Sequence, residues 1–353
     1  MKKKLVALLL VSALAFSGCG ASQQEELSNQ QDEQTELTDE SGQQDTNEEE
    51  TVLAQGVDAL KVVDGKLCNE AGEPVQLKGV STHAVTRVEP FINGQLFQEM
   101  HSDWGVDVVR LAMYTEGQDG YMKSDYFREK NVELVKKGVD LAVESDLYVL
   151  VDWHILDDRT PLKYKDAAID FFDMISKEYA DCPNVIYEIC NEPNDTSWAD
   201  IKAYANEVIP VIRANAPDSV IICGTPDWSQ GVDQALADPL EFENVMYTLH
   251  FYSASHKDDL RNRMITCAEA GLPIFVTEYG VTASNGGFPR DLEEADVWMA
   301  ALDEYGISSC IWNLSKNGEA CCLLSSSTTK YSGFADEDYN ETGQWFIQML
   351  ESK

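Results

Sequence analysis

Basic residues are scarce in this chain. Its 353 residues carry 26 Lys and Arg against 62 Asp and Glu, a formal charge of −36. That balance excludes nucleic acid as a partner, because a phosphate backbone demands a basic footprint. An acidic surface keeps an exported protein soluble and suits a neutral polymer, without identifying one. No glycine-rich phosphate fingerprint follows an early strand, which argues against a doubly wound nucleotide-binding sheet. His-x-x-x-His spacing is also missing, so no metal centre and no cofactor are expected. The apolar run at 5–16 is too short to cross a bilayer.

What is there begins with an export signal. Lys2, Lys3 and Lys4 form a basic head, the run 5–16 follows, and Ser17-Gly18 precede Cys19. Residues 1–18 read as a signal peptide whose end resembles the cleavage site of bacterial lipoproteins, with Cys19 as the lipidated N-terminus. More than one acyl chain on Cys19 gives stable anchoring to the outer face of the cell membrane. Membrane contact is expected only through that anchor; an ordinary secretory signal is the alternative. Residues 19–55 read as a disordered acidic tether. Eleven acidic residues fall between 20 and 55, with no Lys, Arg or aromatic residue among them. Such a segment repels itself and has little to bury.

From Gly56 to the end of the chain the composition is globular. Segments 60–63 and 75–78 flank the turn signals Asp64-Gly65 and 69–72, which predicts a small β-hairpin. Strand-like runs follow at 77–81, 106–113, 148–152, 185–189, 220–223, 245–249, 274–277 and 309–312. Amphipathic stretches separate them at 127–145, 171–179, 201–215, 258–270 and 292–305, with a last one at 344–350. Eight alternating units predict an α/β fold, a (β/α)₈ barrel with a short N-terminal hairpin. Its active site should lie on the loops after the strands.

Two strand ends carry chemistry. Val185-Ile-Tyr-Glu-Ile-Cys-Asn191-Glu192-Pro193 is an apolar strand that Pro193 stops, since proline has no amide hydrogen to continue a ladder. Taken alone, Asn191 and Glu192 are also ordinary turn residues. A second run, Ile274-Phe-Val-Thr-Glu278-Tyr-Gly280, ends in the same way. Two glutamates at strand mouths suit glycoside hydrolysis, in which one protonates the leaving oxygen and the other attacks the anomeric carbon.

From Leu77 to Cys322 the chain resembles glycoside hydrolase family 5, in particular its bacterial endoglucanases. The resemblance rests on Leu77-Lys-Gly-Val-Ser-Thr-His83, Arg110-Leu-Ala-Met-Tyr114, Asp152-Trp-His154-Ile-Leu156 and Tyr187-Glu-Ile-Cys-Asn-Glu-Pro193. It continues through Gly224-Thr225, Trp228-Ser-Gln230, Leu249-His-Phe-Tyr252, Thr277-Glu-Tyr-Gly280 and Trp312-Asn-Leu-Ser315. It implies a retaining endo-β-1,4-glucanase, with Glu192 as acid/base and Glu278 as nucleophile, roughly 5 Å apart. Arg110 and Tyr252 would orient the nucleophile, and Asn191 would contact the 2-hydroxyl of the reacting sugar. His154 and His250 would build the network around the sugar, and His83 would lie on the nonreducing side. Trp312 and Trp228 would offer flat faces to pyranose rings. Lys316 and Glu319 would contact sugar from the loop after the last strand. A buried structural ion pair is the plain alternative for Arg110. Trp153 should point into packing, as should Trp104, Trp198, Trp298 and Trp345.

The substrate expected is a β-glucan polysaccharide, met by a monomer. Mixed-linkage glucan, xyloglucan or mannan with the same chemistry is the near alternative, and an inactive glycan-binding lipoprotein the distant one. Arg87 stands where the family's cellulases commonly carry an aromatic platform, and Lys316 lies one position before their usual lysine. Besides Cys19 there are eight cysteines, several within elements, where the thiol behaves as a small hydrophobe. Adjacent Cys321 and Cys322 are left open, as a metal pair or as partners for other thiols.

Overall fold

The computed structural model describes residues 56–352. The signal peptide, Cys19 and the acidic tether expected at 1–55 lie outside them. Eight parallel strands close a barrel: β3 (Lys78–Thr82), β4 (Val108–Tyr114), β5 (Tyr148–His154), β6 (Val185–Glu188), β7 (Ile221–Cys223), β8 (Val245–Tyr252), β9 (Ile274–Gly280) and β10 (Ser309–Leu314). Each pairs with the next in chain order, and β10 returns to β3. Strands buried on both faces must be apolar on both, which is why these runs barely alternate in sequence. The expected (β/α)₈ barrel is the fold observed.

Outside run α1 (Gly94–Ser102), α2 (Asp125–Glu144), α3 (Lys165–Glu178), α4 (Trp198–Asn215), α5 (Pro226–Ser229), α6 (Val232–Ala237), α7 (Asp258–Glu269), α8 (Leu292–Tyr305) and α9 (Glu341–Glu351). Helix α1 was not expected from the sequence. It buries Leu96, Phe97 and Met100, a helical spacing in a short segment, and Asn93 caps it by accepting from the Leu96 amide. Helix α4 starts on a capping box between Ser197 and Asp200. Among the described residues no helix is long and apolar enough to cross a membrane.

The hairpin differs from expectation in its second arm. β1 (Lys61–Val63) pairs antiparallel with β2 (Lys66–Cys68) across Asp64-Gly65, and both turn residues have positive φ. The two-residue turn at 64–65 closes the pair before 75–78 is reached. Val75 adds only a bond to the Leu67 carbonyl, and Lys78 already belongs to the barrel.

Alternation along the strands makes two layers. Val109, Leu111, Val149, Val151, Trp153 and Tyr187 face the helices; Trp153 is packed among Tyr121, Phe171 and Phe172. Trp104, Trp198, Trp298 and Trp345 are buried packing residues, as expected. Inside the barrel, Val108, Leu150, Ile186, Ile222, Met246, Phe275 and Cys310 form an apolar plug. Each large side chain there contributes about 1.5–3 kcal/mol by leaving water. Two residues further along the same strands stand Arg110, Asp152, Glu188, Thr248, Thr277 and Trp312. The lining turns from apolar to polar in that single step, and the site rests on the plug.

Candidate active site

Arg110 is the hub of the polar layer and is fully buried. Its Nε and Nη2 donate to the two oxygens of Glu188, at 2.7 and 3.1 Å, as a bidentate fork. Nη2 also donates to Asn191 Oδ1 at 2.6 Å and lies 2.9 Å from Asp152 Oδ2. Nη1 donates to Glu278 Oε2 at 3.1 Å. Burial opposes its charge, but Asp152, Glu188 and Glu278 outweigh that and hold the guanidinium well above its ordinary range. Arg110 is an internal ion pair, and one of its arms also reaches Glu278.

One cation cannot balance every carboxyl gathered here, so protons must be retained. Burial, against Arg110, pushes Asp152 up to about 8 and raises Glu188 as well. Glu278 receives two donors: Arg110 on Oε2, and the Tyr252 hydroxyl on Oε1 at 2.6 Å. Gly280 makes room for that tyrosine. A Cβ there would stand 2.4 Å from the Tyr252 ring.

Glu192 has different company. Its Oε1 lies 2.9 Å from His250 Nδ1, and His250 Nε2 lies 2.9 Å from Thr277 Oγ1. Thr277 gives its single hydroxyl hydrogen to Glu188 Oε1, at 2.7 Å. With that hydrogen on Glu188, Thr277 Oγ1 accepts both from Thr248, 2.6 Å away, and from His250 Nε2, and this tautomer turns the Nδ1 lone pair toward Glu192. The bond between them requires a proton on Glu192. Burial is the main cause that pushes Glu192 up to about 8, with Arg110 opposing and Glu188 assisting. Burial also takes His250 down to about 4, so the imidazole is neutral at pH 7.

The carboxylate oxygens of Glu192 and Glu278 and a ring nitrogen of His250 lie within 4.8 Å of one another. Among the described residues these three are the group that could offer three ligand atoms to a metal ion. Each already has a hydrogen-bonding role: acid to acceptor for Glu192 and His250, acceptor of two donors for Glu278.

One wall is a row of rings. Trp312 stacks on His154, His154 lies 4.2 Å from Tyr114 at 4°, and Tyr114 stacks on His83. His154 Nδ1 sits 2.7 Å from Asp152 Oδ2, and Asn191 Nδ2 faces its Nε2 at 3.4 Å. His83 accepts the Ala84 amide on Nδ1. Trp228 stands half exposed on a left-handed stretch, Asp227–Ser229 at φ 56–58°. That turn is tied to the acid loop, since the Trp228 amide donates to the Pro193 carbonyl and the Ser229 hydroxyl to that of Asn191. Backbone held in this sparse region is costly, and the ties to the acid loop maintain it.

Burial holds His83 below its ordinary range, Arg87 lowers it further, and Glu319 and Asp119 oppose. Arg87 forks onto Asp119 and lies 5.3 Å from the centre of the Tyr114 ring, so it belongs to this wall. Lys316 is spoken for elsewhere: it donates to the Thr328 carbonyl and sits 4.2 Å over the Tyr331 ring.

Sequence reasoning missed Asp152, Glu188, Thr248, Thr277 and Tyr114 as parts of the site. A usable signal was present for the first four. Each follows by two positions an apolar residue of the barrel plug, at Leu150, Ile186, Met246 and Phe275.

A family model described as Cellulase (glycosyl hydrolase family 5) matches residues 68–318. The chain belongs to glycoside hydrolase family 5. Within the family it is 41% identical over 294 residues to endoglucanase A of Butyrivibrio fibrisolvens, covering 82% of this chain and 68% of that protein. To the endoglucanase of Clostridium saccharobutylicum it is 42% identical over 286 residues, 80% of this chain and 63% of that one. The chain thus spans 63–68% of the length of these two curated relatives. Against solved structures it overlays the catalytic domain of Thermobifida fusca endoglucanase Cel5A with a TM-score of 0.80 at 36% identity, covering 83% of this chain and 97% of that one. The same domain, solved in complex with cellotetraose, gives 0.79 at 36% identity, with the same two coverages. By membership this chain is a cellulase-type glycoside hydrolase.

Proposed function

We propose that this chain is an endo-β-1,4-glucanase that retains anomeric configuration, with Glu192 as acid/base and Glu278 as nucleophile. The observation that carries the reading is the separation of the two carboxyls. Oxygens within 4.8 Å suit direct attack on the sugar, whereas an inverting pair stands about 6.5–9.5 Å apart to admit a water. Glu278 Oε attacks the anomeric carbon while Glu192 passes its proton to the glycosidic oxygen, which departs as an alcohol. The resulting glycosyl ester on Glu278 is then opened by water, whose proton returns to Glu192. Asn191 is held by Arg110 beside the pair, in reach of a 2-hydroxyl.

A β-glucan substrate is supported by the endoglucanase names of the relatives and by the cellotetraose bound to the Thermobifida domain. Trp312 and Trp228 supply the planar faces that pyranose rings pack on. A charged fork at Arg87 and Asp119 in the wall, in place of an aromatic platform, is the feature that favours a decorated or mixed-linkage chain as a second substrate. For the whole protein we infer a monomer, exported and anchored through Cys19, on the sequence pattern at 1–19.

Proton NMR of the first minutes of cello-oligosaccharide hydrolysis tests the mechanism. The β-anomer should appear first and the α-anomer only by mutarotation. An initial α-anomer would mean inversion and would remove Glu278 as nucleophile.

A further inference from the structure

Cys321 and Cys322 lie in the loop after β10, and both side chains are buried. Cys321 packs against Ala112, Tyr252 and Trp312, so one thiol touches both the tyrosine that holds Glu278 and the tryptophan of the ring wall. Cys322 donates to Asn317 Oδ1 and accepts from the Ser315 hydroxyl. Its cover is thin, because Asn317, Gly318 and Glu319 above it are exposed. The floor under Cys321 is Gly286, where a Cβ would come within 3.0 Å of the sulfur.

We propose that Cys321 and Cys322 form a reversible redox modification site, a vicinal dithiol that small hydroperoxides oxidise to a disulfide and that thereby lowers activity. The proposal rests on the role given above to Tyr252 and Glu278. The hydrogen bond between the two thiols holds Cys322 down at about 7, and the same bond pushes Cys321 up. Cys322, under the thin cover of residues 317–319, is the thiol a small peroxide reaches first, while Cys321 is packed against Tyr252 and Trp312, so Cys322 is the attacking one. Its sulfur attacks one peroxide oxygen, the O–O bond breaks, and the product is a sulfenic acid with water or an alcohol released. The Cys321 sulfur then displaces that hydroxyl as a second water, and the S–S bond closes. Two thiols lose two hydrogens and two electrons, and the peroxide takes both.

Two physical consequences follow. Adjacent Cα atoms stand about 3.8 Å apart, short of the roughly 4.4–6.8 Å usual for a disulfide. A strained bridge is easily reduced, as a switch must be. Closing the ring also draws the Cys321 sulfur away from Tyr252 and Trp312 toward Cys322, which loosens the tyrosine on the nucleophile.

The test is hydrogen peroxide on the folded protein, followed by alkylation, peptide mapping and an activity assay before and after dithiothreitol. The expected result is a peptide containing 321–322 that has lost two hydrogens and resists alkylation. Activity should fall several-fold and return with dithiothreitol, which does not reverse methionine oxidation. Cys322→Ser should keep its reduced-state activity and lose the dithiothreitol-reversible fall. Should that variant fold poorly, Cys322→Ala serves in its place, and the map of the unaltered protein stands alone. The free, buried thiols of Cys190 and Cys223 are also hydrogen-bonded neighbours. A reversible fall that maps to a bridge between those two would overturn the proposal. So would both thiols of 321–322 remaining alkylatable, or a mapped bridge with unchanged activity. Loss of the glucanase reading would show instead as no activity in the reduced protein.

Discussion

Glu192 and Glu278 sit within 4.8 Å of each other at the mouth of one barrel, yet their partners are opposite in kind. Glu278 is met by donors, the Arg110 guanidinium and the Tyr252 hydroxyl. Glu192 is met by an acceptor, the Nδ1 lone pair of a neutral His250. The two roles are divided by hydrogen-bond polarity rather than by distance or residue type. Donors stabilise a carboxylate ready to attack, and an acceptor stabilises a carboxylic acid ready to give its proton. The divider is Thr277, one residue before the nucleophile, because its hydroxyl is committed to Glu188 and fixes the tautomer of His250.

The largest effects should come from breaking either side at its carboxyl. Glu278→Gln should abolish turnover on polymer and on aryl glycosides alike, since no leaving group replaces the nucleophile. Glu192→Gln should lower polymer hydrolysis by about 10²–10⁴-fold. It should spare glycosylation by aryl glycosides whose leaving groups need no proton. Burst kinetics on a dinitrophenyl cellobioside separate the two; equal loss in both variants would erase the distinction.

Next in size is the donor side. Arg110→Lys removes the fork on Glu188 and leaves buried carboxyls short of partners. It should cost about 3–5 kcal/mol of stability, read as a lower urea midpoint, together with most of the activity. Unchanged stability would mean that the network is not shared through this arginine.

The acceptor side is finer. Thr277→Val removes the partner of His250 Nε2 and lets the ring turn an N–H toward Glu192. That favours the carboxylate and lowers the pKa of the acid. Activity needs Glu192 protonated, so the alkaline limb of kcat/KM, expected near pH 8 in the parent from the burial of Glu192, should move to lower pH. A drop of about tenfold at pH 8, roughly 1.4 kcal/mol, is the expected scale. A loss of rate with no movement of the limb would assign Thr277 to packing alone.

The barrel was legible because each βα unit carries its own signal, an apolar run followed by a helical stripe. The two glutamates were legible because apolar runs lead up to them and leave them at the mouth, although β6 already stops at Glu188, ahead of Pro193, while β9 runs to Gly280. Glu188 and Thr277 were not read, since inside a strand a polar residue looks like a flaw until closure shows which face it lines. Arg110 was picked out through the resemblance, but it stands inside β4, and that it forks onto Glu188 depends on two strands far apart in sequence. Lys316 was read from the resemblance alone, and its contacts with the Tyr331 ring and the Thr328 carbonyl come from a part of the loop with no periodic signal. The second arm of the hairpin failed for a local reason, the tight turn at Asp64-Gly65.

The division of roles depends on Glu192 holding its proton through neutral pH. Carbon-13 NMR of protein labelled at glutamate carboxyls measures it directly. One resonance should titrate with a midpoint near 8 and vanish in Glu192→Gln. If the resonance lost in that variant titrates instead near the ordinary glutamate value of about 4.3, Glu192 is ionised at neutral pH and the division of roles described here is wrong.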